Sequence, residues 1–172
     1  MTAMHHASRP DIMRIALLFV FIAVFMAMAP AGLTQTAEPE DLDAFPRQSL
    51  TIVTGKKPAV EYQVWLADSP RRQAQGLMFV RSLPARRGML FVYESPRPIG
   101  MWMKNTYIPL DMLFIGADGA IQQIVENTTP HSLDVIRSNQ PALAVLEIAG
   151  GEARRLGIKP GQRISHPAFT RD

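Results

Sequence analysis

Leu110-Asp-Met-Leu-Phe-Ile-Gly-Ala-Asp-Gly-Ala-Ile-Gln-Gln-Ile-Val-Glu126 is the stretch that decides the fold class. Two short runs of strand-forming residues flank Ala117-Asp118-Gly119-Ala120. An Asp-Gly pair between such runs is a hairpin signal, because both turn positions tolerate positive φ. The segment therefore reads as two antiparallel strands, Leu110–Ile115 and Ile121–Glu126.

The same pattern extends in both directions. Upstream, Gly100 to Thr106 reads as a strand that Pro109 turns into the next one. Before it, Gly88-Met-Leu-Phe-Val-Tyr93 is a short apolar strand broken by Ser95-Pro-Arg-Pro98. Leu50 to Thr54 and Val60 to Leu66 alternate, with Val60, Tyr62, Val64 and Leu66 on one face, and a turn between them makes a hairpin. Downstream, Asn127 to Pro141 is a polar loop, Ala142 to Ile148 a strand, and Gln162 to Ile164 a last strand. Two helices are short. Asp68 or Ser69 can cap one that starts at Pro70 and ends at Gly76, and Gly150 to Gly157 holds the other. The expectation is a mainly β (α+β) domain: a small antiparallel barrel- or sandwich-like sheet of about eight short strands with two short helices. No βαβα alternation argues for a doubly wound fold.

The first residues read differently. Arg9 and Arg14 precede an unbroken apolar run from Ile15 to Ala29, and Ala29-Pro30-Ala31 offers a cleavage site before Gly32. This is the layout of a secretory signal peptide over residues 1–31, either cleaved or retained as an anchor. Residues 32–47 read as a disordered linker and 48–168 as a single globular domain. The expected location is periplasmic or otherwise extracytoplasmic, with membrane contact only through the N-terminal segment. The chain has no cysteine, so stability rests on core packing rather than disulfides. Its net charge of +3 includes the two leader arginines, and its basic residues fall in isolated doublets such as Arg86-Arg87. No charged stripe suits nucleic acid, and no nucleic-acid partner is expected.

The chemistry concentrates between Trp102 and Asp111. Strand alternation places Met101, Met103 and Asn105 on one face and Trp102, Lys104 and Thr106 on the other. Depending on the loop through Tyr107–Pro109, Asp111 meets either Asn105 or Thr106 and Lys104. Asp111 then either accepts bonds from turn backbone and locks the hairpin, or presents an anion in a cleft. Trp102 with Lys104 is either a core indole beside a snorkelling lysine or a stacking platform beside a cation. Glu147, inside the apolar run Leu146–Ile148, faces either solvent or a pocket. His131 and His166 lack the further ligand a metal needs, and no metal or other cofactor is expected. Met101 and Met103 could hold a soft metal, but filling the core is the commoner role of methionine. No phosphate loop or nucleophile elbow appears.

With these residues in hand, the chain resembles the domain of unknown function 192 family from about Tyr62 to Ile164. The resemblance rests on Gly76-Leu-Met-Phe79, Leu83-Pro84, Gly88-Met-Leu-Phe91, Trp102-Met-Lys-Asn-Thr106, Pro109-Leu-Asp111, Asp118-Gly119, Val145-Leu-Glu147, Ala149-Gly150 and Gly157-Ile-Lys-Pro-Gly161. It implies a compact, mostly β domain, often exported or membrane-associated, and brings no established reaction. The polar motif positions are Trp102, Lys104, Asn105, Thr106, Asp111 and Glu147, with Arg81 after the first motif. The chain departs from the pattern at Gln75, Met101 and Gly116, where a basic, an aromatic and an acidic residue are common.

Three readings of function follow. The favoured one is an extracytoplasmic ligand- or envelope-binding or accessory module, its partner a small molecule or cell-envelope component. The second is a small hydrolase or transferase using Asp111 or Glu147 with Lys104. It requires the carboxylate and Lys104 to share a cleft. The third treats the motif as a folding signature, with the interaction surface elsewhere.

Overall fold

The computed structural model describes residues 40–55 and 58–169. The proposed leader and the first half of the proposed linker, residues 32–39, lie outside them. The fold is mainly β, with nine strands and two short helices among the described residues. Strands β1 (Arg47–Val53), β2 (Val60–Ala67), β3 (Arg87–Arg97), β5 (Leu110–Ile115), β6 (Ile121–Val125), β8 (Ala142–Ala149) and β9 (Arg163–Ser165) build one sheet in the order β6-β5-β8-β3-β2-β1-β9. β4 (Gly100–Met101) and β7 (Ile136–Arg137) form a second, two-stranded sheet. No helix among the described residues is long and apolar enough to cross a membrane.

The two expected hairpins are present. β1 pairs antiparallel with β2, Ile52 opposite Val60. β5 pairs with β6 across the Asp118-Gly119 turn, where Gly119 has φ of 78°. The sheet curls until its two edges meet. The Ile121 N–H donates to the Gln162 carbonyl, Gly161 N–H to Ile121 and Ile164 N–H to Gly119. Joining edges in this way removes the unpaired backbone an open sheet presents.

Four features depart from the sequence reading. One sheet contact, β2 with β3, is parallel, because helix α1 (Pro70–Gln75) carries the chain back between them. β3 continues through Ser95-Pro96 to Arg97, past the expected break. Its register shifts between Val92 and Arg97, so Pro96 sits where no ladder bond is needed. The expected strand from Gly100 to Thr106 stops at Met101, and it pairs with β7 rather than with β5. Asn105, with φ of 54°, and the Thr106 N–H to Met103 carbonyl bond turn the chain instead. Finally, residues 40–47, read as linker, are folded. Phe45 is buried, and the Gln75 amide grips the Glu40 backbone, accepting from its N–H and donating to its carbonyl, both at 2.6 Å.

The sheet has a core on each face. One face gathers Leu50, Ile52, Tyr62, Val64, Leu113, Leu146, Ile148 and Ile158, with Ile121 and Ile164 from the meeting edges. The other gathers Phe45, Leu77, Met89, Phe91, Met101, Met103, Met112, Phe114 and Val145. β8 lies between β3 and β5 and is buried on both faces, so its near-continuous apolar run is what its place demands. Helix α1 is capped by Ser69, whose hydroxyl accepts from the Arg72 N–H, has Pro70 in its first turn and ends at Gly76.

Candidate functional site

β8 carries one ionisable residue in its apolar run, Glu147. It stands opposite Met89 of β3 and Met112 of β5. Its neighbours Leu146 and Ile148 belong to the first core, so alternation turns Glu147 to the second. It is 4% exposed. Burial alone pushes its carboxyl up to about 8, since no hydrogen bond or neighbouring charge among the described residues offsets the desolvation. The acid is therefore largely neutral at pH 7.

Glu147 does not sit in a sealed core. It lines a cleft of about 80 Å³ together with Gln73, Gln75 and Gly76 from the end of α1, Met78, Phe91 and Tyr93 from β3, and Met101, Trp102, Lys104 and Thr106. Trp102 is exposed at 47%, and the Lys104 ammonium lies 5.4 Å from the centre of its ring. That distance is a cation–π contact, and it makes an aromatic platform with a cation at the mouth. Tyr93 is half-buried on the cleft wall, and its hydroxyl points to the Met101 sulfur at 3.9 Å. Burial raises the Tyr93 phenol, with the Arg97 guanidinium opposing and the Glu147 charge adding. Arg97 itself stacks on the Tyr93 ring at 4.8 Å.

The sequence candidates separate into three groups. Trp102, Lys104, Thr106 and Glu147 meet at the cleft. Asn105 and Asp111 build the fold around it. The Asn105 carbonyl accepts from the Phe79 N–H, and its side-chain amide lies 4.0 Å from the Met78 sulfur. Asp111 is fully buried on the opposite face of the sheet, on the side of Leu113 and Ile115. Its Oδ1 accepts from the N–H groups of Asn127 and Gly151, its Oδ2 from that of Ala153, all at 2.8 Å. Helix α2 (Glu152–Leu156) has no side-chain cap of its own, and this carboxylate from β5 supplies one. Neither Asn105, Thr106 nor Lys104 bonds to Asp111, so the expected polar pair across Tyr107–Pro109 does not form. Arg81 is exposed and lies over the Tyr107 ring at 5.0 Å, outside the cleft lining.

Sequence reasoning missed Tyr93, Gln73 and Gln75. Gln73 and Gln75 lie in the expected helix and Tyr93 in the expected strand, but the crossover that brings the two elements to one cleft has no signal in neighbouring residues. Of the three departures from the family pattern, Gln75 and Met101 line the cleft, while Gly116 lies at the β5–β6 hairpin. Among the described residues no three His, Cys, Asp or Glu side chains gather as a metal site would need.

The family model for domain of unknown function 192, described as an uncharacterized ACR, matches residues 51–166. Similar solved structures include the following two. One, from Sinorhizobium meliloti and provisionally described as a transcription regulator, is 42% identical, with a TM-score of 0.70 over 72% of this chain and 96% of that one. The other, a protein of unknown function from Novosphingobium aromaticivorans, is 37% identical, with a TM-score of 0.70 over 74% of this chain and 90% of that one. None of the curated proteins matches the chain.

Proposed function

The chain belongs to the domain of unknown function 192 family, whose description brings no reaction, and we propose that it is a ligand-binding module whose site is floored by Glu147 and rimmed by Trp102 and Lys104. The observation that carries this is the uncompensated Glu147 carboxyl. A buried acid without a partner weakens the fold, and such a group at the base of an open cleft is the usual mark of a functional site. A half-exposed indole beside a cation at the mouth adds recognition surface of the kind binding sites use. The apolar leader supports an extracytoplasmic setting, where the partner is a small molecule or a cell-envelope component. A fusion of residues 1–60 to a reporter active only outside the cytoplasm tests that setting.

A second reading keeps one specific support. An acid raised to about 8 is suited to proton transfer near neutral pH, so Glu147 with Lys104 at the mouth could serve a small hydrolase or transferase. The version using Asp111 loses its basis, since three backbone donors occupy that carboxylate on the far face.

A thermal-shift screen against envelope glycans, peptides, amines and small anions tests the binding reading. At least one class raises the Tm of the parent and fails to do so in Trp102→Ala. No stabilisation by any class, or hits that persist unchanged in Trp102→Ala and Glu147→Gln, rejects it. Turnover of a hit, lost in Glu147→Gln, moves the assignment to the enzyme.

A further inference from the structure

We infer that the cleft takes the ammonium end of a small alkylamine, ion-paired with Glu147, with its stem lying against Phe91, Tyr93 and Trp102; this deepens the binding reading and rests on it.

The Gln73 amide nitrogen donates to the Ala67 and Val92 carbonyls. The Gln75 amide nitrogen donates to the Glu40 carbonyl. The Thr106 hydroxyl donates to the Lys104 carbonyl, and the Tyr93 hydroxyl is turned to the Met101 sulfur. Most of the lining's amide, hydroxyl and phenol donors are thus engaged within the protein, with one N–H of the Gln75 amide left over. Of the remaining side-chain donors, Lys104 and the Trp102 indole stand at the mouth, and the neutral Glu147 carboxyl carries one O–H at the floor. The floor offers the Glu147 carboxyl as acceptor, beside the thioethers of Met78 and Met101, which already face the Asn105 amide and the Tyr93 hydroxyl. The walls offer aromatic faces, which attract a cation.

An anion at the floor would find only the single O–H of the neutral Glu147 acid and would keep that acid from ionising. An ammonium would find a carboxylate, soft sulfur and ring faces. Size agrees. A cleft of about 80 Å³ admits a small head group such as an aminomethyl or aminoethyl end. Lys104 at the mouth then favours an amine whose far end is neutral or anionic, as in an amino acid.

The pairing has a proton signature. The groups facing Glu147 are Met89 from β3 and Met112 from β5, Tyr93 further along β3 with Arg97 stacked on it, the glutamines of α1, and Lys104 after β4. None pairs with the free acid, which is held up at about 8. An arriving ammonium stabilises the carboxylate, so binding below pH 8 releases a proton. Affinity should rise up to about tenfold per pH unit from 6 to 8, then level off until the amine itself deprotonates near ~10.5.

The probes are n-propylammonium, n-propanol and propionate, one chain length with three head groups, titrated by calorimetry in two buffers of different ionisation enthalpy. Chemical shifts of the Trp102 indole and Glu147 amide locate the binding. The expected result is that propylammonium binds at the cleft with proton release, and that Glu147→Gln loses at least tenfold in affinity and all of the release. If Glu147→Gln does not fold, Trp102→Ala at the exposed rim replaces it and must weaken binding at least threefold. Binding of propionate or propanol at the cleft, without propylammonium, overturns the ammonium assignment and leaves the binding module standing. Propylammonium binding without proton release, or undiminished in the variants, also overturns it. Failure of all three probes, with no hit in the wider screen, removes both readings.

Discussion

Two carboxylates, Asp111 and Glu147, are buried in adjacent strands and project to opposite faces of one sheet. Their environments assign them different work. Asp111 accepts three backbone N–H groups at 2.8 Å, each otherwise an unsatisfied donor. Glu147 has no partner to accept from among the described residues. The first is how a structural acid is kept. The second is how an acid is kept for something that comes from outside. Asp111→Asn tests the structural half. Its amide oxygen can still serve Asn127 and Gly151, but its –NH₂ would confront the Ala153 N–H, donor against donor. The expected loss is about 2–3 kcal/mol by urea unfolding. Lys104→Met, at an exposed rim, should stay within about 0.5 kcal/mol. An Asp111→Asn protein as stable as the parent would show that the carboxylate does not hold α2 in place.

Among the elements, β8 and β3 carry the site, and their contact depends on Gly88. A Cβ there would lie 2.5 Å from the Glu147 carbonyl oxygen and 3.2 Å from the Ile148 Cγ2. The nearer obstacle is backbone in a central strand, which cannot swing aside. Gly88→Ala should therefore cost about 1–3 kcal/mol by urea unfolding. An unchanged midpoint would mean the strands have slack at their centre. The legibility of these elements from sequence follows the range of the interactions that fix them. The β1–β2 and β5–β6 hairpins and the Ser69 cap were readable, because alternation and turn chemistry are local. The parallel β2–β3 contact, the β4–β7 pair and the continuation of β3 past Pro96 were not, because they depend on which distant strand supplies a partner. Asn105 is intermediate. Asparagine tolerates positive φ better than most residues, so the turn at Met103–Thr106 had a signal that the Trp-Met-Lys alternation obscured. The candidate site divides in the same way. Glu147 was conspicuous as an ionisable residue in an apolar strand. The partners of Asp111 lie 16, 40 and 42 residues away, so the sequence showed a buried carboxylate without showing what bound it.

At the scale of the whole molecule, one buried acid should be visible in the stability of the entire domain. Glu147 titrates near 4.5 when unfolded and near 8 when folded. Between those values the native state holds a proton that the unfolded chain has released. Stability must fall as pH rises through that window and level off above 8. His166 acts oppositely. Burial lowers its value, so the unfolded chain binds the extra proton, but only below about 6.5. The interval from 6.5 to 8 therefore isolates Glu147. There the parent should lose stability more steeply than Glu147→Gln, by up to about 1.4 kcal/mol per pH unit, and the variant should be the more stable protein at pH 8. Urea unfolding at half-unit steps reads this directly, and parallel profiles would show that Glu147 is not held as a neutral acid. Saturating propylammonium adds the functional half. With an ammonium against it the native carboxyl ionises early, so the slope should disappear in the parent while Glu147→Gln stays as it was. The same acid would then account for a weakness of the empty fold and for its relief by the ligand.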